Sequence, residues 1–118
     1  MANNTFPRSV RLLKSEEYDE VFKNPVRASE RGVLVLACKN KLEYPRLGLI
    51  VPKKVLKRAV WRNRIKRISR DTFRLNQHSL PNIDLVVMAR PKIDEFSNSE
   101  LSSVLKKLWI QISHRLEK

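Results

Sequence analysis

The chain reads as an α+β protein, a single-domain α/β sandwich whose elements follow the order α-β-β-β-α-β-α. Three observations predict this. Apolar runs of strand length stand at Val33–Cys38, Arg46–Val51 and Ile83–Arg90. Longer stretches, from about Leu56 to Asn76 and again after Ser97, repeat apolar residues at helical spacing. Short polar connections join the two kinds of segment, which layers helices on a sheet.

Residues 1–14 read as an extended basic arm carrying Pro7, Arg8, Arg11 and Lys14. Ser15 is placed as the N-cap of a first helix, and Glu16 and Glu17 suit the positive end of its dipole. Tyr18, Val21 and Phe22 fall at i, i+3 and i+4, so this helix offers one apolar face before it stops near Asn24-Pro25. The run Val33–Cys38 is a buried strand, paired with a shorter one ahead of Gly32. Lys39–Pro45 is turn-like, and the strand Arg46–Val51 is closed by Pro52.

In the central helix, Trp61, Ile65, Ile68, Thr72 and Leu75 form one stripe, while Arg62, Asn63, Arg64, Lys66, Arg67, Arg70 and Arg74 spread over the opposite side. Phe73 lies outside that stripe and the pattern does not place it. A third main strand follows His78-Ser79-Leu80-Pro81, with Asp84 alternating away from its apolar neighbours. Ser97 and Glu100 have capping-box spacing. The last helix then carries Leu101, Val104, Leu105, Leu108, Ile112 and Leu116 on one side. Both Trp61 and Trp109 sit on apolar stripes and are expected in the core.

Composition narrows the partners. A chain of 118 residues with 42% hydrophobic content makes one domain with a core of its own. Lysine and arginine total 25 against 12 acids, a net charge of +13. The stretch Lys53–Arg74 alone holds ten cations and one acid, Asp71, for a net +9. Dense positive charge on a folded element faces a polyanion. The apolar runs are too short to cross a bilayer, and the N-terminus has no apolar signal stretch, so a cytoplasmic protein without a membrane partner is expected. Cys38 is the one cysteine, which leaves no internal disulfide and no Cys-based zinc site.

Catalytic constellations are missing from the sequence. His78 and His114 are remote from one another and belong to no HxxH or HExxH pattern, and no glycine-rich phosphate cradle occurs. Glu16, Glu17, Asp19 and Glu20 are explained as dipole complements, and Cys38 as a core filler. A protein nuclease acting alone is therefore disfavoured. The basic helix has chemistry to offer. Arginine forks suit phosphate oxygens, Asn63 can bond a base edge or 2′-hydroxyl, and Tyr18 with Phe22 is the residue type on which unpaired bases stack.

The string AVWRNRIKRISRDTFR, residues 59–74, closely resembles the arginine-rich RNR motif of the protein subunit of bacterial ribonuclease P. RLLKSEEYDEVFKN (11–24) resembles that family's first helix, PRLGLIVPKK (45–54) the strand before the motif, and DLVVMARPK (84–92) the strand after it. The resemblance implies a mixed sheet with a left-handed βαβ crossover, against the usual hand. It also implies a function: a protein that joins a catalytic RNA, in a 1:1 complex, to remove the 5′ leader of precursor tRNA. On that resemblance the RNA and its magnesium ions (Mg2+) perform the hydrolysis, and the protein alone binds no cofactor. Arg62, Asn63, Arg64, Lys66, Arg67 and Arg70 match the motif, with Arg58 and Arg74 flanking it as RNA-binding positions. Tyr18 and Phe22 match aromatic positions of a cleft for the leader, and Lys53 and Lys54 its basic rim. Leu36 takes a cleft position where some relatives carry an aromatic, which implies weaker stacking there. A ribosome-associated structural protein is the rival reading, separated by whether the chain travels with ribosomal subunits.

Overall fold

The computed structural model describes residues 10–116. Helix α1 (Ser15–Lys23) is followed by strands β1 (Val26–Glu30), β2 (Val33–Lys39) and β3 (Arg46–Ile50). Helix α2 (Ala59–Asn76), strand β4 (Ile83–Ala89) and helix α3 (Asn98–Leu116) complete the order, with short 3-10 turns at Gln77–Ser79 and Ile93–Glu95. The expected α-β-β-β-α-β-α succession is present, and the class is α+β.

The four strands form one mixed sheet in the order β1-β2-β4-β3. β2 pairs antiparallel with β1 (Ala28 opposite Val35) and with β4 (Val35 opposite Val87). β3 runs parallel to β4 with Gly48 opposite Val86, so α2 is the crossover between two parallel neighbours. The β1–β2 hairpin turns at Arg31-Gly32. Gly32 has φ of 85°, and a Cβ there would lie 2.9 Å from the Ile93 backbone, so only glycine fits.

The strand period of two divides the sheet into two faces. Val33, Val35, Ala37, Leu47, Ile83, Leu85, Val87 and Ala89 point toward α2 and α3, meeting Ile65, Ile68, Phe73, Leu105, Trp109 and Ile112 in the main core. Leu34, Leu36 and Val86 point the other way, against Leu12 and Val21, with Tyr18, Cys38, Ile50 and Met88 at the margin of this second cluster. α1 thus covers part of one face, and the other helices cover the opposite one.

Three local expectations need correction. Ser15 is already helical. The extended residue Lys14 is the N-cap, and the capping is done by Glu17, whose Oε1 accepts the N–H of Leu13 (2.7 Å) and Lys14 (2.9 Å). Trp61 is not in the core but 43% exposed, because burial along α2 begins only at Ile65 and the first turn projects past the packed region. Leu75 is 61% exposed while Phe73 is fully buried. Relative to Ile65 these two lie at about −80° and +80°, and the contact stripe is rotated toward Phe73. Trp109 is buried as expected. The Ser97–Glu100 capping box also forms, through Ser97 N–H to Glu100 Oε1 at 2.8 Å and Glu100 N–H to Ser97 Oγ at 3.2 Å.

Of the predicted arm, residues 1–9 (Pro7 and Arg8 included) lie outside the described residues. Its end is docked: Arg11 bridges in parallel to Leu47, and Leu12 N–H donates to the Leu47 carbonyl at 3.0 Å. Val10 and Leu12 are buried. Among the described residues no helix is long and apolar enough to cross a membrane.

Candidate nucleic-acid interface

Consecutive helical residues are separated by about 100°, so Arg62, Asn63 and Arg64 cannot share one face. Their roles divide accordingly. Arg62 folds back over the start of α2 and donates from one terminal nitrogen to the carbonyls of Leu56 and Lys57, both at 2.9 Å. Arg64 turns toward the start of α3, with Nε 2.6 Å from Asn98 Oδ1 and one terminal nitrogen, Nη2, 2.5 Å from the Phe96 carbonyl. Asn63 and Arg67 are exposed. Arg74 is half-buried, 3.9 Å from the Asp71 carboxylate. Arg58 precedes the helix and lies over the Trp61 ring, 5.2 Å from its centre. The first turn of α2 holds no acid, and its N-cap makes no side-chain hydrogen bond. Its positive dipole end therefore adds to the arginine charge around it.

Lys66 and Arg70, one turn apart, lean to the flank opposite Arg64. They line a cavity of about 180 Å³ with Tyr18, Gly48, Leu49 and Arg11. This hollow is where α1, the docked arm, β3 and α2 converge. A cation pair from the basic helix and an aromatic ring from the first helix face one space. Gly48 makes the approach possible, since a Cβ there would stand 2.7 Å from the Tyr18 ring. Tyr18 Oη accepts the Leu49 N–H at 3.3 Å. That bond holds the ring against the edge strand and occupies a backbone donor that β3 would otherwise leave open.

The other predicted cleft residues are spread more widely. Phe22 is 41% exposed on α1, one turn beyond Tyr18. Leu36 is buried within the sheet face beneath α1, an apolar floor with little surface for stacking. Lys53 and Lys54 are exposed in the turn between β3 and α2 and do not line the cavity. Arg11 and Gly48 were not among the predicted site residues. A glycine inside the strand pattern RLGLIV was a legible sign of close approach, whereas nothing in the string marks Arg11 as facing α2.

Behind this hollow is a buried charge network. Arg46 grips Asp84 with two bonds, Nε to Oδ1 at 3.0 Å and a terminal nitrogen to Oδ2 at 2.8 Å. Its remaining nitrogen donates to Glu17 Oε2 at 2.7 Å. Asn40 Nδ2 adds a 2.9 Å bond to Asp84 Oδ1. The Asp84 side chain is only 5% exposed. Its alternation away from the core face therefore leads to an ion pair instead of solvent. Hydrogen bonding to Asp84 pushes the Arg46 guanidinium well above its ordinary range. Glu17 is held below the usual carboxylate value, chiefly by the Lys14 N–H against the opposing effect of burial, with Leu13 N–H and Arg46 assisting. These acids are fully engaged in tying α1 to β3 and β4. Cys38 is half-buried at the same face, and burial pushes its thiol pKa up.

A larger hollow of about 240 Å³ lies between the C-terminal parts of α2 and α3, near Asn76, Lys106 and Trp109, and none of the predicted site residues lines it. Among the described residues no three or more His, Cys, Asp or Glu side chains stand together in a way that could hold a metal ion.

The family model described as Ribonuclease P matches residues 6–113. The chain belongs to the ribonuclease P protein family. Solved structures agree. The RNase P protein of Staphylococcus aureus is 26% identical, with 88% of this chain and 97% of that one aligned at a TM-score of 0.81. The RNase P protein of Thermotoga maritima is 29% identical over 82% of this chain and 96% of its own, at 0.67. The match includes α1, β3 and the whole of α2, the elements that build the hollow just described.

Proposed function

We propose that this ribonuclease P family member is the protein component of a ribonucleoprotein that removes the 5′ leader from precursor tRNA. In this reading the outward cations of α2 meet the catalytic RNA, and the hollow between α1, β3 and α2 receives the single-stranded leader. The observation that carries it is the convergence of Tyr18 with Lys66 and Arg70 on one space beside Gly48. An aromatic edge serves any base, and flanking cations serve the phosphates on either side. That combination binds single strands with little regard to sequence, as a pool of varied leaders requires. In this reading Phe22 and the exposed Lys53 and Lys54 supply further leader contacts outside the hollow.

Hydrolysis is assigned to the RNA and the Mg2+ it holds. The Glu17 and Asp84 carboxylates are already bonded to Arg46 and are not a donor set for that ion. The protein's part is to hold substrate and to lower the repulsion between two RNAs, as a 1:1 partner in the cytoplasm.

Reconstitution tests the proposal. The purified chain added to a bacterial ribonuclease P RNA is expected to strengthen precursor tRNA binding far more than mature tRNA binding, and to permit cleavage at low magnesium. Equal strengthening of both would remove the leader from the account. Cleavage by the protein without RNA would reassign the chemistry.

A further inference from the structure

Trp61 is unexplained by the leader hollow. The indole is 43% exposed, although tryptophan is highly buried on average, and Val60 beside it is 65% exposed. The ring is not idle, because Arg58 lies across it at 5.2 Å, presenting a guanidinium-backed aromatic face. Along the chain its neighbours are all positive or neutral. No acid occurs between Lys53 and Arg70, and the first turn of α2 contains none. Five residues separate Trp61 from Lys66, which places them about 140° apart around the helix. Trp61 therefore addresses a different direction from the flank where Lys66 and Arg70 line the hollow.

From these facts we infer that Trp61 and Arg58 form a second base-stacking site, for an unpaired nucleotide of the catalytic RNA rather than for the leader. The inference rests on the RNA partnership proposed above and adds a residue to it. The occupant follows from charge: an apolar peptide face would have to desolvate Arg58, Lys57 and Arg62 without compensation, whereas a nucleotide brings its own phosphates. Arg58 serves both the ring and the backbone of the stacked nucleotide. The site also distinguishes stacking from simple charge. Loss of a stacked base lowers affinity without altering counterion release, so the salt slope stays where it was.

The test compares Trp61→Ala and Trp61→Phe in the full chain, with a ribonuclease P RNA and, separately, a short single-stranded leader oligonucleotide as probes. Trp61 is exposed and lies outside the buried core, so both variants are expected to melt close to the parent. Trp61→Ala should weaken RNA-subunit binding about tenfold, Trp61→Phe should restore most of it, and the log–log salt slope should be unchanged in both. Leader oligonucleotide affinity should not move. The Trp61 emission, taken as the difference between the parent and Trp61→Phe spectra, should be quenched by the RNA subunit. Unaltered RNA-subunit affinity in Trp61→Ala overturns the inference, as does equal loss for RNA and leader. A parent protein that binds neither probe would instead bring down the underlying RNA partnership, so the two failures are distinguishable.

Discussion

Removing the Arg46 guanidinium is the most demanding test of how the hollow is held. In Arg46→Met the Asp84 carboxylate, 5% exposed, loses two bonds of 3.0 and 2.8 Å and keeps only the Asn40 amide among its side-chain partners. Stranding one charge of a buried pair costs about 3–5 kcal/mol. Glu17 suffers less, being 23% exposed and retaining the Leu13 and Lys14 N–H bonds. Against a total stability of about 5–15 kcal/mol, the loss is a large fraction. It should lower the melting temperature by about 12–20 °C, taking about 4 °C per kcal/mol for a domain of this size. Arg46→Met combined with Asp84→Leu removes both members of the buried pair and should recover most of the deficit, because the only ion left without its partner is the partly exposed Glu17, which keeps its two backbone bonds. Urea unfolding of the parent, the two single variants and the double variant gives the coupling directly. A single variant within about 1 kcal/mol of the parent would show that Asp84 is not desolvated as the geometry states. A double variant no better than Arg46→Met would show that packing of the arginine stem, not charge, is what matters.

Gly48→Ala should displace the Tyr18 ring, which stands 2.7 Å from the added Cβ, costing about 1–3 kcal/mol and reducing the preference for precursor over mature tRNA in equilibrium binding. Arg67→Ala should leave the melting temperature unchanged, since the side chain is exposed, yet lower the salt slope of RNA binding by about 0.7–0.9. Arg62→Ala should cost about 1–2 kcal/mol of stability by releasing the Leu56 and Lys57 carbonyls, measured by thermal melting. Acid should destabilise the fold through Glu17: its pKa is below the ordinary 4.5 when folded, so its contribution is complete above that value and lost as pH falls through the folded one. Glu17→Gln should flatten the decline in melting temperature on acidification through that range.

Local signals carried most of the fold. The apolar runs of β2 and β4 announce themselves because both faces of those strands are covered, and the Ser97–Glu100 pair marks a helix start by chemistry confined to four residues. What the string left open depends on distance in sequence. Arg46 and Asp84 look like unremarkable strand residues until β3 is laid parallel to β4, where they stand opposite one another. Leu75 leaves the core and Phe73, which the pattern did not place, enters it, because helical periodicity gives the width of a stripe but not which edge of it the rest of the core will touch. Trp61 misleads for a related reason: its angle is that of a core residue, but its turn lies ahead of the first buried position, Ile65. Site residues within α2 were legible as types, while the convergence of Arg11, Tyr18 and Gly48 on Lys66 and Arg70 exists only in three dimensions.

The spread of the arginines around α2 has an energetic logic that charge counting misses. Ten cations with one acid across Lys53–Arg74 repel one another, and those near the helix start also oppose its dipole, at about 0.3–1 kcal/mol each. Such a segment is stable only if some of these groups are satisfied within the fold. Arg62 and Arg64 are satisfied so, one bonded to the carbonyls that precede the helix and one to the start of α3. The start of α2 is thereby anchored by side chains that carry the very charge destabilising it. Asn63 between them is neutral and solvent-facing, so the first two turns gain a hydrogen-bonding group without a further like charge. On the proposed reading, the repulsion that remains among Lys66, Arg67 and Arg70 is relieved when RNA phosphates arrive. On that reading the free protein keeps this surface under electrostatic tension, and the RNA removes it.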